Sequence, residues 1–132
     1  MLFEAKGLRY LFMDQRLTWE NRLHSRRDFT AVYSLGRRFQ QGALSMWVYR
    51  RPDSSRPRLG MAIPTAFGNA VKRNRMKRLL REAFRLHKNT LPPDVDLVFG
   101  ARRVPVVPLR YSNVWPLVKN LWEKAQLVSR ED

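Results

Sequence analysis

The stretch KRNRMKRLLREAFRLHK, Lys72 to Lys88, carries eight Lys or Arg residues and a single acid, Glu82, yet its apolar residues keep helical spacing. At about 100° per residue, Leu79, Ala83, Met76, Leu80 and Phe84 share one side, while Lys77, Lys88, Arg81, Arg85 and Arg78 crowd the other. The pattern predicts a helix that packs on a core and presents a dense cationic face. Opposite charges at i+3 or i+4 normally relieve such crowding, and only Glu82 is available, so the repulsion costs stability until an external polyanion neutralises it. Lys72 and Arg73 fall near the apolar side but in the first turn. There they read either as a solvated helix terminus or as phosphate ligands beside the outward-facing amides of the helix start.

The whole chain repeats this imbalance. Its 26 Lys and Arg against 11 Asp and Glu give a formal charge of +15 in 132 residues, an excess beyond what solubility requires and suited to nucleic acid. A hydrophobic content of 44% still allows one buried core, which a disordered basic tail would lack. There is no cysteine, so disulfides, thiolate-bound zinc and a thiol nucleophile are excluded. His24 and His87 have no companion carboxylates at ligand spacing, which argues against a metal site or a Ser-His-Asp arrangement. Nothing in the N-terminal segment approaches a membrane span or signal-peptide core, because Glu4, Lys6, Arg9 and Asp14 interrupt it. The expected setting is the cytoplasm, with no membrane partner.

Outward from the basic helix, the elements are punctuated by turn residues. Ser25 with Asp28 three residues on marks a helix start, Phe29, Val32 and Tyr33 form its apolar stripe, and Gly36 stands where a cap would end it. Arg37–41 and Leu44 to Arg50 read as strands about a Gln41-Gly42 turn; Met46 and Val48 alternate with Trp47 and Tyr49. RPDSSRP, Arg51 to Pro57, is a loop, and Arg58 to Ile63 is a third strand stopped by Pro64. Asn69 is the expected N-cap of the basic helix. Val95 to Ala101 is a fourth strand, RVPVVPL a second loop, and a last helix starts near Asn113 with Pro116 in its first turn. His87 reads as a solvated residue at a helix C-terminus, favourable to the dipole when protonated.

This order, helix, three strands, helix, strand, helix, predicts an α+β domain: one mixed sheet with helices packed mainly on one side. The other face is then partly open. Trp47 belongs to it, Phe39 to the core, and the stripe of Phe29 and Tyr33 is either core or, beside a basic helix, a base-stacking surface.

The string GNAVKRNRMKRLLREAF, Gly68 to Phe84, resembles the signature of the protein subunit of bacterial ribonuclease P, with its Arg-Asn-Arg core at Arg73, Asn74 and Arg75. RLHSRRDFTAVYSLGRRF from Arg22, LGMAIP from Leu59 and DLVFGARR from Asp96 are similar to that family's first helix, third strand and fourth strand, in the same order. The resemblance implies a two-layer α/β sandwich of order αβββαβα, with a mixed four-stranded sheet and a left-handed crossover, as in a ribosomal protein domain. It implies a single RNA-binding domain over 22–128 and a frayed tail at 129–132, with 1–21 either a flexible N-terminal extension or an artefact of start-site choice for which Met13 is the alternative start. The implied partners are a catalytic RNA and precursor tRNA with a single-stranded 5′ leader, with no obligate protein partner. No residue of the chain is then catalytic, and Mg2+ enters through the partner RNA rather than through side chains. RNA contacts fall on Lys72, Arg73, Asn74, Arg75, Lys77, Arg78 and Arg81, and the leader-cleft positions on Phe29, Tyr33 and Trp47. One departure is the turn Pro64 to Phe67, which lacks the lysines the family carries there.

Two other classes compete. A structural ribosomal-type RNA-binding protein would share the charge but not the arginine-rich helix with flanking aromatics. A protein nuclease would need clustered acid-base groups, and the close pair Asp94 and Asp96 reads as a solvated loop at a strand entry.

Overall fold

The computed structural model describes residues 17–105 and 108–128. Three helices, α1 (Arg26–Leu35), α2 (Ala70–His87) and α3 (Tyr111–Lys124), combine with four strands, β1 (Arg37–Gln41), β2 (Leu44–Arg50), β3 (Arg58–Ala62) and β4 (Val95–Ala101). The sheet order is β1-β2-β4-β3; β1–β2 and β2–β4 are antiparallel and β3–β4 parallel. Parallel neighbours need a crossover, and α2 supplies it.

One face of the sheet carries the main core. Leu44, Met46 and Val48 of β2, Leu59 of β3 and Leu97 and Phe99 of β4 meet Met76, Leu80 and Phe84 of α2 and Val114, Val118 and Trp122 of α3. Full burial of a side chain of this size contributes about 1.5–3 kcal/mol, so this layer dominates folding. The apolar stripe read from the basic stretch is thus the buried face of α2.

Two of the three helices, α2 and α3, share this face, as expected for helices packed mainly on one side. α1 packs on the opposite face, where Val32 is fully buried with Leu23 and Val98, flanked by Phe29, Trp47 and Tyr49. Glycines make that approach possible. A side chain at Gly36 would collide with the carbonyl oxygens of Val32 and Val48, so glycine ends α1 because β2 passes close by, not because the backbone turns left-handed (φ −86°). At Gly60 a Cβ would lie 2.7 Å from the Phe29 ring.

Other local expectations shift. The Ser25 hydroxyl accepts the Asp28 amide, but the Asp28 carboxylate turns to Arg58 instead of closing a reciprocal box. β3 stops one residue early, at Ala62. α3 begins at Tyr111, which puts Pro116 in its second turn, where it removes one helical hydrogen bond. The folded unit also starts before Arg22: Thr18 and Asn21 form a capping box around a 3-10 turn, Asn21 is buried and donates to the Pro57 carbonyl, and Arg22 bridges to Leu59. The remainder of the expected extension, 1–16, and the tail 129–132 lie outside the described residues.

Asp96 is not in a solvated loop. It sits within β4, 1% exposed, and takes Arg51 Nη1 at 2.6 Å and Arg58 Nε and Nη2 at 2.8 Å. Arg51, itself buried, also donates to the carbonyls of Val95, Arg56 and Pro93. Asp94 pairs with Arg50 at 2.9 Å, and the Arg51 hydrogen bonds hold the exposed Asp53 carboxyl well below its usual range. Both acids of the pair read as a loop are therefore structural. Asp96→Ala should destabilise the protein by about 3–5 kcal/mol in urea unfolding, since it removes the buried counter-charge of Arg51 and leaves that guanidinium only the exposed Asp53; a loss within experimental error would show the ion pair to be dispensable.

Candidate nucleic-acid interface

The strand register builds the open face row by row. Tyr49, Asp96 and Arg58 form the first row and Arg38, Trp47, Val98 and Gly60 the second. α1 covers these. Gln40, Ser45, Gly100 and Ala62 form the third, which lies beyond the helix and consists largely of small residues. A side chain at Gly100 would crowd the Ser45 hydroxyl at 3.0 Å, and that hydroxyl donates to the Gly100 carbonyl.

The result is an open cleft of about 600 Å3. Ser45, Gly100 and Ala62 lie along its floor, and Tyr33 and Trp47 along one wall. The two rings meet edge to face, 5.3 Å between centroids at 85°, which fixes the Trp47 plane. Tyr33 remains 39% exposed, and partial burial raises its hydroxyl pKa, so it stays a neutral donor. Cations come from three directions: Arg38 on β1, Lys77 on α2 and Arg102 after β4. Pro64 lines the cleft without contributing charge, so the cations there come from these three residues and not from the turn Pro64 to Phe67.

Of the predicted aromatics, the structure brings Tyr33 and Trp47 together and not Phe29, which lies over Gly60 and borders a separate, smaller cavity. Arg38 and Arg102 were missed because their membership depends on strand pairing. No local signal fixes that pairing, although alternation already places Ser45 on the Trp47 face.

Along α2, Asn69 accepts the Lys72 amide as the N-cap, and Lys72, Asn74, Arg75 and Arg78 are exposed. Arg73 and Arg75 are partly engaged, donating to the Gly68 and Leu109 carbonyls, each at 2.7 Å. Lys88 leaves the cationic face altogether; it is buried and donates to Asn21 Oδ1. Among the described residues, the ion-paired carboxylates are held by Arg50, Arg51, Arg56, Arg58 and Arg85. Lys72, Arg73, Arg75, Lys77, Arg78 and Arg81 have no such partner. At Arg81 the neighbouring charges of Arg22 and Arg78 add to burial in lowering the guanidinium pKa, so the crowding read from the sequence is felt there.

The family profile for ribonuclease P matches residues 17–126. The chain belongs to the ribonuclease P protein family. A ribonuclease P protein component from Shouchella clausii is 34% identical over 110 residues, 83% of this chain and 89% of the relative. One from Desulfovibrio desulfuricans is 43% identical over 83 residues, 62% of this chain and 64% of that relative. The Staphylococcus aureus ribonuclease P protein structure superposes with a TM-score of 0.73 over 83% of this chain and 98% of that one, at 24% identity, a likeness of fold.

His87 departs from its expected role as a solvated, protonated cap in this ribonuclease P family fold. Its ring stacks on Trp115 at 3.8 Å and 6°, and Nε2 meets the Tyr111 hydroxyl at 3.1 Å. Burial first, and Lys119 second, lower its pKa below the ordinary value. The unfolded chain then binds more protons, so this contribution is fully present above the ordinary histidine value, is lost as pH falls from there through the folded value, and levels off below. Urea unfolding from neutral pH to about pH 5 should show a stability loss that shrinks in His87→Phe; an unchanged pH dependence would remove His87 as its source.

Proposed function

We propose that this chain is the protein subunit of a cytoplasmic ribonuclease P ribonucleoprotein. A partner RNA, with its Mg2+, carries the active site that removes the 5′ leader of precursor tRNA. The chain binds that RNA through the cationic face of α2 and holds the single-stranded leader in the cleft beside it. One observation carries the reading: an aromatic wall and a narrow small-residue floor are rimmed by uncompensated cations. Single-strand-binding grooves work this way, because stacking accepts any base while guanidinium and ammonium groups follow the backbone.

Each part has a distinct task. Trp47, steadied by Tyr33, offers a ring for an unpaired base. The uncovered row of half-buried Ser45 and Gly100 lets an RNA strand approach the sheet closely, and Arg38, Lys77 and Arg102 neutralise its phosphates. Lys72, Asn74 and Arg78 face outward from α2 toward the partner RNA. Among the described residues, no three His, Asp or Glu side chains form a group able to hold a metal ion. Asp94 and Asp96, the close acidic pair in the sequence, are tied up in ion pairs.

The test is reconstitution with a candidate catalytic RNA and precursor tRNA at low magnesium. The protein alone should cut nothing, and its addition to the RNA should raise cleavage at the mature 5′ end. Cleavage by RNA-free protein, or no effect on the RNA's activity, would contradict the assignment.

A further inference from the structure

A second constellation lies along the β3 edge, away from the Trp47 cleft. Arg22, whose bridge to Leu59 extends the sheet past β3, lines a cavity of about 180 Å3 with Arg81, Leu23, Phe29 and Gly60. Burial, and then the charges of Arg22 and Arg78, push the Arg81 guanidinium below its ordinary value. It stays protonated. Among the described residues, none of these three arginines has a carboxylate partner. Like charges gathered over an apolar cavity are the complement of an anion attached to something flat.

Next to it stands an unused aromatic pair. Trp19 is 70% exposed, and His24 stacks on it at 3.4 Å and 17° with Nε2 against the Trp19 carbonyl at 2.8 Å. The pair is held rigidly. Its 3-10 turn is closed by Thr18 and Asn21, Asn21 accepts Lys88 Nζ from the end of α2, and the Arg22 amide donates to that same Trp19 carbonyl. A preorganised indole left in water has the property of a stacking platform.

Met61 borders both cavities, and Lys77 in one and Arg81 in the other are a single turn apart on α2, about 6 Å along its axis. We propose that the single-stranded RNA path continues from the Trp47 cleft past Met61 along the β3 edge, with a phosphate among Arg22, Arg78 and Arg81 and a base on the Trp19–His24 pair. This deepens the cleft reading and rests on it for the strand that enters. The chemistry of the second site requires only an unpaired nucleotide chain.

The test uses the full chain and labelled oligouridylates of about 4 and about 16 nucleotides, spanning the site sizes of single-strand-binding folds. The longer oligonucleotide should bind more tightly. Trp19→Ala and Arg22→Gln should each weaken its binding by about 5-fold or more while leaving the short one unchanged. Arg22→Gln should also lower the salt slope for the long oligonucleotide by about 0.7, and Trp19→Phe should restore most of the loss seen with Trp19→Ala. Both sites are exposed, so matched melting temperatures are expected and confirm that folding is intact. Variants that bind the long oligonucleotide like wild type would overturn the extended path. Equal competition by a duplex of the same length would overturn the stacking platform. Failure of wild type to bind either length would overturn the cleft reading itself, so the two failures are told apart.

Discussion

One buried carboxylate determines which part of the sheet is left open. Asp96 takes Arg51 from the end of β2 and Arg58 from the start of β3, while Arg58 also reaches Asp28 on α1 at 3.4 Å. A lone ionised carboxylate at this depth would be strongly unfavourable; two guanidiniums donate to it, and backbone carbonyls accept the remaining donors of Arg51. The network ties the 51–57 loop, two strands and the first helix to one end of one face. α1 is therefore set over the rows of Trp47 and Tyr49, and the row of Ser45, Gly100 and Ala62 stays uncovered.

The same network shapes the electrostatics. Carboxylates are scarce, and among the described residues the ion pairs use them at Arg50, Arg51, Arg56 and Arg58 and, on α2 itself, only at Arg85 near its end. The cations thus fall into two groups. Arg51 and Arg58 hold the fold, whereas Lys72, Lys77, Arg78 and Arg81 have no carboxylate partner among the described residues. The amphipathic stripe of α2 joins the two requirements in one helix: Met76, Leu80 and Phe84 anchor it so firmly that its outer face can carry mutual repulsion.

Much of this was legible in the sequence because periodicity and punctuation act locally. Alternation in LSMWVYR assigned Met46 and Val48 to the core and Trp47 and Tyr49 to the other face, and Ser25, Asn69 and Pro64 marked real boundaries. What was not legible depends on partners distant in sequence. The Asp94 and Asp96 pair looked solvated because nothing near it announces Arg51 and Arg58. His87 looked like a cap until α3 placed Trp115 and Tyr111 against it. The capping signal at Thr18 and Asn21 was present but lay ahead of the segment taken as the domain. The separation of Phe29 from Tyr33 and Trp47 follows from Gly60, a contact no helical wheel contains.

The central claim is that Trp47 faces a leader nucleotide rather than a protein core, and the relative affinity of the reconstituted ribonucleoprotein for leader-bearing precursor and mature tRNA tests it most directly. Trp47→Ala should weaken precursor binding relative to mature tRNA by about 1–3 kcal/mol, with the affinity for the catalytic RNA unchanged. An unchanged precursor-to-mature ratio, accompanied by a stability loss of about 3–5 kcal/mol that weakens every ligand alike, would show that the ring belongs to the core and that the cleft does not hold the leader.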